Sequence, residues 1–257
     1  MSKANTVMGG TPLVYLASGS PRRRAILEEL GISYRLLAVD VDEIAAGTAS
    51  ETVEENARRK LRAGLLVARA SGPPTRETAF GNIARSCLPE EKTRPKWPRH
   101  GGAVVVAADT VLEARGRVLG KPADEMMAVQ YLQRLSGGTA VAYSAVAVVV
   151  VGAGEGCLAT ETAEVHFKTL SQEIIRWYLS TGEPMGRAGA FGIGQIGEVL
   201  TESVDGCYSC VSGLPKTALL AALARVAGER LPEWLRNVPS GLAGARVRVR
   251  SLTLGGF

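Results

Sequence analysis

Leu16-Ala17-Ser18-Gly19-Ser20-Pro21-Arg22-Arg23-Arg24 joins an apolar run to a basic one. Residues 13–17 read as a buried strand, and Ser18-Gly19-Ser20 as a turn of small residues. Pro21 then opens a helix, because its fixed φ and missing N–H are tolerated at the first helical position, and Ser20 before it is a natural N-cap. Ile26, Leu27 and Leu30 give that helix an apolar side, and Gly31 closes it. The junction presents backbone N–H groups, hydroxyls and arginines at a positive helix end, which suits a phosphate. Arg23 lies three and four residues before Ile26 and Leu27, shares their face, and is expected to point inward. The plainer alternative is a capped helix start with solvated arginines.

Outward from this junction, residues 34–39 read as a second strand. Ser50 is expected to cap a helix running to about residue 70, with Val53, Ala57, Leu61, Leu65 and Ala68 as its inner stripe. Lys60 flanks that stripe, so it either snorkels to solvent or serves a site. Residues 71–102 carry Pro73, Pro74, Pro89, Pro95 and Pro98 among glycines and mixed charges, and read as a surface insertion. Residues 103–108 form a β-prone strand ending in Asp109-Thr110. Residues 111–113 and 117–119 suggest a hairpin around Arg115-Gly116. Next come a helix over 123–135, a hairpin of 141–151 with 158–167, and a helix capped by Ser171 and ending at Gly182. A strand at 199–204 and a helix at 214–227 complete one domain over 13–228. Residues 229–257 read as a tail with one possible strand at 246–254. Strands, hairpins and helices in this mixture fit an α/β or α+β domain with a mixed sheet.

The chain has 257 residues and a net charge of +5, compatible with anionic small molecules and too modest to argue for nucleic acid. The start resembles neither a signal nor a transit peptide, and no apolar run reaches membrane-spanning length, so a cytoplasmic protein without membrane attachment is expected. Cys207 and Cys210 form a C-x-x-C, but zinc would need two more ligands, and His100 and His166 lack the spacing. A redox pair or two incidental thiols in a reduced compartment both remain open. There is no phosphate-binding G-x-x-x-x-G-K loop, and Gly192-Ile193-Gly194 lacks the third glycine of a dinucleotide fingerprint.

Polar residues gather where strands end or helices begin. Asp40, Asp42 and Glu43 are either solvated loop acids or part of a hard-cation site, since Mg²⁺ takes one or two carboxylates plus substrate phosphates. Asp109 at the end of an apolar strand is costly unless paired or ligating, and could hold Mg²⁺ or activate water as a general base. Lys60 and Lys121 would supply point charges for a triphosphate. The glycine-punctuated segment 182–195 either lets backbone approach a ligand or merely connects elements. Together these groups point to metal-assisted hydrolysis of a phosphorylated small molecule.

In this order the clusters resemble the Maf family of nucleotide pyrophosphatases. The matching pieces are Ser18-Gly19-Ser20-Pro21-Arg22-Arg23, Asp42-Glu43, Lys60, Ala108-Asp109-Thr110, Leu119-Gly120-Lys121-Pro122, Leu135-Ser136-Gly137, Ala188-Gly189-Ala190-Phe191-Gly192-Ile193 and Val211-Ser212-Gly213-Leu214-Pro215. The resemblance implies an α/β fold similar to inosine triphosphate pyrophosphatases, an elongated mixed sheet with flanking helices in two lobes around a cleft, in a homodimer. It implies hydrolysis of nucleoside triphosphates to monophosphate and pyrophosphate with Mg²⁺ or Mn²⁺. Carried over, Asp109 is the general base, Glu43 and Asp109 hold the metal, and Ser18, Arg22, Lys60 and Lys121 hold the phosphates. Arg23 and Thr110 match the branch acting on dTTP, UTP and modified pyrimidine nucleotides. The family's Gly-Ile-Gln-Gly is here Gly192-Ile193-Gly194-Gln195, so Gln195 either reaches the base from a shifted loop or loses that contact. The competing expectations are the same chemistry on purine or 7-methylguanosine triphosphates, or a non-enzymatic, division-related binder of nucleotide or nucleic acid using the tail with Arg246, Arg248 and Arg250.

Overall fold

The computed structural model describes residues 14–45, 47–70, 103–153, 155–227 and 247–253. The insertion expected at 71–102, and the tail outside 247–253, lie outside the described residues.

The opening junction folds as its sequence dictates. β1 (Val14–Leu16) leads into α1 (Pro21–Glu29), with Pro21 in the first turn and Gly31 at φ +63 past its end. Ser20 has the extended backbone of an N-cap, but its side chain makes no capping bond. Its own N–H is taken by Ser18 Oγ at 3.2 Å. β2 (Tyr34–Leu36) returns parallel to β1, shorter than the strand expected over 34–39.

α2 (Ala49–Ala70) begins one residue before Ser50, the expected cap. Thr48, not Ser50, closes its N-terminus: Glu51 N–H donates to Thr48 Oγ1 at 3.3 Å, and Thr48 N–H donates back to Glu51 Oε2 at 2.8 Å. This reciprocal pair satisfies two donors that a helix start leaves free. Val53, Ala57, Leu61, Leu65 and Ala68 are buried against β3 (Val104–Ala114) and β5 (Thr139–Val150). Each of the larger side chains gains about 1.5–3 kcal/mol over exposure.

The sheet has the order β2-β1-β3-β5-β6-β7, with β6 (Glu155–Phe167) and β7 (Thr201–Gly206) antiparallel to their neighbours. Only β1, β2 and β3 run parallel among the described strands, so the sheet is mixed, as expected. β4 (Arg117–Leu119) pairs with β3, and β8 (Arg248–Thr253), the strand expected in the tail, pairs with β6. The remaining helices are α3 (Glu125–Leu135), α4 (Gln172–Ser180), the single-turn α5 (Tyr208–Val211) and α6 (Lys216–Ala227). Asp124 and Ser171 cap α3 and α4 through their side chains.

Strand alternation divides the interior. Val104, Val106 and Ala108 face a core completed by α1 and α6, while Val105 and Ala107 face α2. A third core, with Leu132, Phe167, Tyr178 and Phe191, lies where α3 and α4 pack on the other end of β5 and β6.

β3 does not end at Asp109. It runs on to Ala114, because β5 pairs with it along its whole length. On its other side β1 pairs only with Val104–Val106 and β4 only with Leu112–Ala114. Residues 107–111 of β3 therefore border a gap between two strands, and Asp109 and Thr110 sit in it.

Candidate active site

A cavity of about 520 Å³ opens at that gap. It is lined by Ser18, Arg22, Arg23, Glu43, Lys60, Asp109, Thr110, Lys121 and Gln195, so residues far apart in sequence meet on one surface. Asp40 also lines it, and Asp42 is not among the lining residues.

One wall is a chain of opposite charges. Lys60 Nζ donates to Asp109 Oδ1 at 2.5 Å and to Glu43 Oε1 at 2.7 Å. Lys121 Nζ donates to the same Glu43 oxygen at 2.6 Å. Lys121 is thus linked to Asp109 through Glu43 and Lys60. Lys60 and Asp109 are buried, with relative exposures of 9% and 3%, so neither charge could be left unpaired cheaply. Partial burial works against charge on Glu43, but Lys60 and Lys121 outweigh it and hold Glu43 below the usual carboxylate range.

Asn56 was not foreseen from sequence. It is buried one turn before Lys60 on α2, and its Nδ2 donates to Asp109 Oδ2 at 3.1 Å. The same carboxamide accepts from Ile44 N–H at 2.9 Å and donates to Ile44 C=O at 3.1 Å. Asn56 therefore fixes both the Asp109 carboxylate and the loop carrying Glu43. The signal was the i, i+4 spacing of Asn56 and Lys60 on one helix face. Each Asp109 oxygen accepts one bond, leaving acceptor capacity toward the cavity.

The junction forms a second wall. Arg23 points inward, as its spacing predicts: Nε donates to Gly213 C=O at 2.8 Å and Nη1 to Ser18 Oγ at 3.0 Å. Burial holds the Arg23 guanidinium below its usual range, with the Asp109 and Glu43 carboxylates pulling the other way. Ser18 Oγ accepts from both Ser20 N–H and Arg23, so its own O–H remains to donate. Burial, with Arg187 and Arg23 alongside, lowers the Arg22 pKa to about 10. Thr110 Oγ1 lies 2.6 Å from Ser144 Oγ, which donates to Cys210 C=O at 2.8 Å.

The glycine-punctuated segment supplies the third wall and a second residue that sequence reasoning passed over, Arg187. Its Nη2 donates to Gln195 Oε1 at 2.5 Å and its Nε to Glu183 C=O at 2.7 Å. Its signal was a lone guanidinium beside Ala188-Gly189-Ala190. Gly189 sits at φ +65, and a Cβ there would come within 2.6 Å of Leu112 Cδ1. The left-handed backbone favours glycine here, and its N–H donates to Gly120 C=O at 2.9 Å, joining this wall to the Lys121 loop.

Among the described residues no group of three or more His, Cys, Asp and Glu side chains is placed to hold a metal by itself. Glu43 and Asp109 nevertheless offer two hard carboxylates on one cavity wall. That set fits Mg²⁺ or Mn²⁺ completed by substrate oxygens, and does not fit zinc. The described C-x-x-C thiols are free. Cys210 Sγ is buried against Glu161 C=O at 3.2 Å, and burial pushes its thiol well up. His166 joins Thr139 and Asp205 on the sheet, away from the cavity residues. No helix among the described residues is long and apolar enough to cross a membrane.

Residues 13–226 match the family model described as Maf-like protein. A dTTP/UTP pyrophosphatase of Pelotomaculum thermopropionicum is 35% identical over 216 residues, covering 82% of this chain and 95% of that protein. A dTTP/UTP pyrophosphatase of Chromobacterium violaceum is 38% identical over 213 residues, covering 81% and 93%. A nucleoside triphosphate pyrophosphatase of Haemophilus ducreyi is 34% identical over 219 residues, covering 85% and 98%.

Proposed function

The chain belongs to the Maf family, and from that premise we propose that it hydrolyses nucleoside triphosphates to the monophosphate and pyrophosphate, with dTTP and UTP as preferred substrates. The observation that carries this reading is the buried Asp109 carboxylate, held by Lys60 and Asn56 on the wall of a cavity ringed by cations.

Asp109 is the general base. With one bond on each oxygen it still has lone pairs to accept the proton of a water that attacks the α-phosphorus. The bond from that phosphorus to the bridging oxygen breaks, and pyrophosphate leaves. Arg22, Lys60 and Lys121 bind the phosphates and offset the charge that builds on them in the transition state. The Ser18 hydroxyl donates to a phosphate oxygen. Glu43 orients Lys60 and Lys121, since both donate to its Oε1.

Glu43 and Asp109 would hold Mg²⁺ or Mn²⁺, which supplies a Lewis acid for the phosphate oxygens and lowers the cost of the leaving charge. Arg23 and Thr110 face the base, in keeping with the pyrimidine branch of the family. Homodimeric assembly and a cytoplasmic location belong to the same proposal, on the family resemblance.

The experiment is an assay of purified protein with Mg²⁺ or Mn²⁺ and a panel of nucleoside triphosphates, reading phosphate and pyrophosphate separately. The account expects pyrophosphate from dTTP and UTP. Release from purine or 7-methylguanosine triphosphates alone would move the substrate assignment. No release from any nucleotide would overturn the proposal.

A further inference from the structure

We propose that Arg187 is a positioning residue that fixes the polarity of the Gln195 carboxamide, so that the site selects a base presenting a carbonyl and not an amino group. This deepens the nucleotide reading above and rests on it.

A guanidinium has only donors. The carboxamide atom 2.5 Å from Arg187 Nη2 must therefore be the oxygen, however the amide is turned. That leaves the Gln195 NH₂ as the group free to meet a ligand, and Gln195 lines the cavity. A donor there pairs with a carbonyl oxygen and opposes an exocyclic amine. Uracil and thymine carry a carbonyl at the ring position where cytosine carries an amine, so the same contact separates UTP from CTP.

Arg187 is held well enough to impose this. Its Nε donates to Glu183 C=O at 2.7 Å, and Nη2 lies 3.4 Å from Glu183 Oε1. Glu183 Oε2 in turn accepts from Gly197 N–H at 3.1 Å, two residues past Gln195. On the near side, a Cβ at Gly192 would come within 2.3 Å of Arg187 Nη1 and 2.6 Å of Glu183 Oε1. The ion pair thus grips the Gly194-Gln195 segment at both ends. This answers the exchange of Gln and Gly in the sequence: the shifted glutamine still reaches the cavity, and it does so on Arg187.

The test compares kcat/KM for UTP and CTP in the wild type and in Gln195→Glu, Arg187→Met and Arg187→Lys. The wild type should favour UTP. Gln195→Glu keeps the bond to Arg187 but presents an acceptor to the base, and should shift the UTP-to-CTP ratio toward CTP by about tenfold or more. Arg187→Met frees the carboxamide to rotate and should bring the ratio toward one, chiefly through a raised KM for UTP. Arg187→Lys retains a donor and should keep the UTP preference, which separates positioning from misfolding. An unchanged ratio in Gln195→Glu would overturn the proposal. So would an equal loss on both nucleotides in Arg187→Met, the mark of a phosphate contact only. Equilibrium binding of UTP and CTP to the same variants reads the same ratio without turnover. Absence of pyrophosphate release by the wild type would count against the catalytic proposal alone.

Discussion

Asp109 and Thr110 are neighbours in sequence and face opposite sides of β3. Asp109 meets Lys60 and Asn56 on α2, while Thr110 meets Ser144 of β5 beside the Arg23–Gly213 contact. Alternation along one strand therefore parts the proposed chemistry from the proposed base recognition. Both sides reach the cavity because β3 borders a gap between β1 and β4 at this point.

This separation predicts different losses for neighbouring substitutions. Asp109→Asn should lower kcat about 10²–10⁴-fold, the range for removing a general base. It should also lower Tm, because both Asp109 oxygens accept bonds and a carboxamide must turn its NH₂ toward Lys60 or Asn56. The isosteric change is thus less innocent than its shape suggests, and a circular dichroism melt should accompany the kinetics. Thr110→Val removes one hydroxyl contact, worth about 1 kcal/mol, and should spare most of the turnover while altering the order of preferred nucleotides.

Asn56→Ala should be costly in two ways. It leaves Asp109 Oδ2 without that partner in a buried position and the Ile44 backbone without one in a half-buried position, a loss of about 1–3 kcal/mol readable by urea denaturation. It also releases the loop carrying Glu43, so kcat should fall beyond what the unfolded fraction explains. Full activity in a destabilised variant would show that Asn56 serves the fold alone.

Gly64→Ala tests how tightly α2 is seated. A Cβ at Gly64 would lie 2.7 Å from Ala17 Cβ and 3.2 Å from Val105 Cγ1, between the helix and the sheet. Overpacking of this kind costs about 1–3 kcal/mol, against a gain of about 1 kcal/mol in helix propensity. Lys60 lies one turn away, so the account expects a lower Tm together with a lower kcat.

Glu43 sets a pH dependence. Its carboxyl lies below the ordinary value of 4.5, with Lys60 and Lys121 outweighing partial burial. A carboxylate depressed on folding contributes stability that is fully present above the unfolded pKa and lost as pH falls through the folded one. The stability gap between the wild type and Glu43→Gln should therefore hold from neutral pH down to about 4.5 and close below it. Denaturation midpoints of both proteins across that range provide the check. A gap that widens on acidification would contradict the sign.

Much of this molecule was legible because local rules and tertiary packing agree. The Ser-Gly-Ser-Pro junction, the inward Arg23 and the α2 stripe follow from spacing alone. The length of β3 did not, since the apolar run stops before Asp109 and only pairing with β5 carries the strand onward. The cap of α2 was misplaced because Ser50 and Thr48 both suit the position, and the reciprocal bonds with Glu51 decide for Thr48. Asn56 and Arg187 escaped notice for a shared reason. Neither belongs to a motif of charged residues, and each acts by holding another side chain that sequence had already singled out.

The most direct test of the central claim is hydrolysis of UTP in water enriched in heavy oxygen, with the products read by mass spectrometry. The account places the attack on the α-phosphorus, so one heavy oxygen should appear in the monophosphate and none in the pyrophosphate. Label in the pyrophosphate, or phosphate and a nucleoside diphosphate as the products, would contradict it.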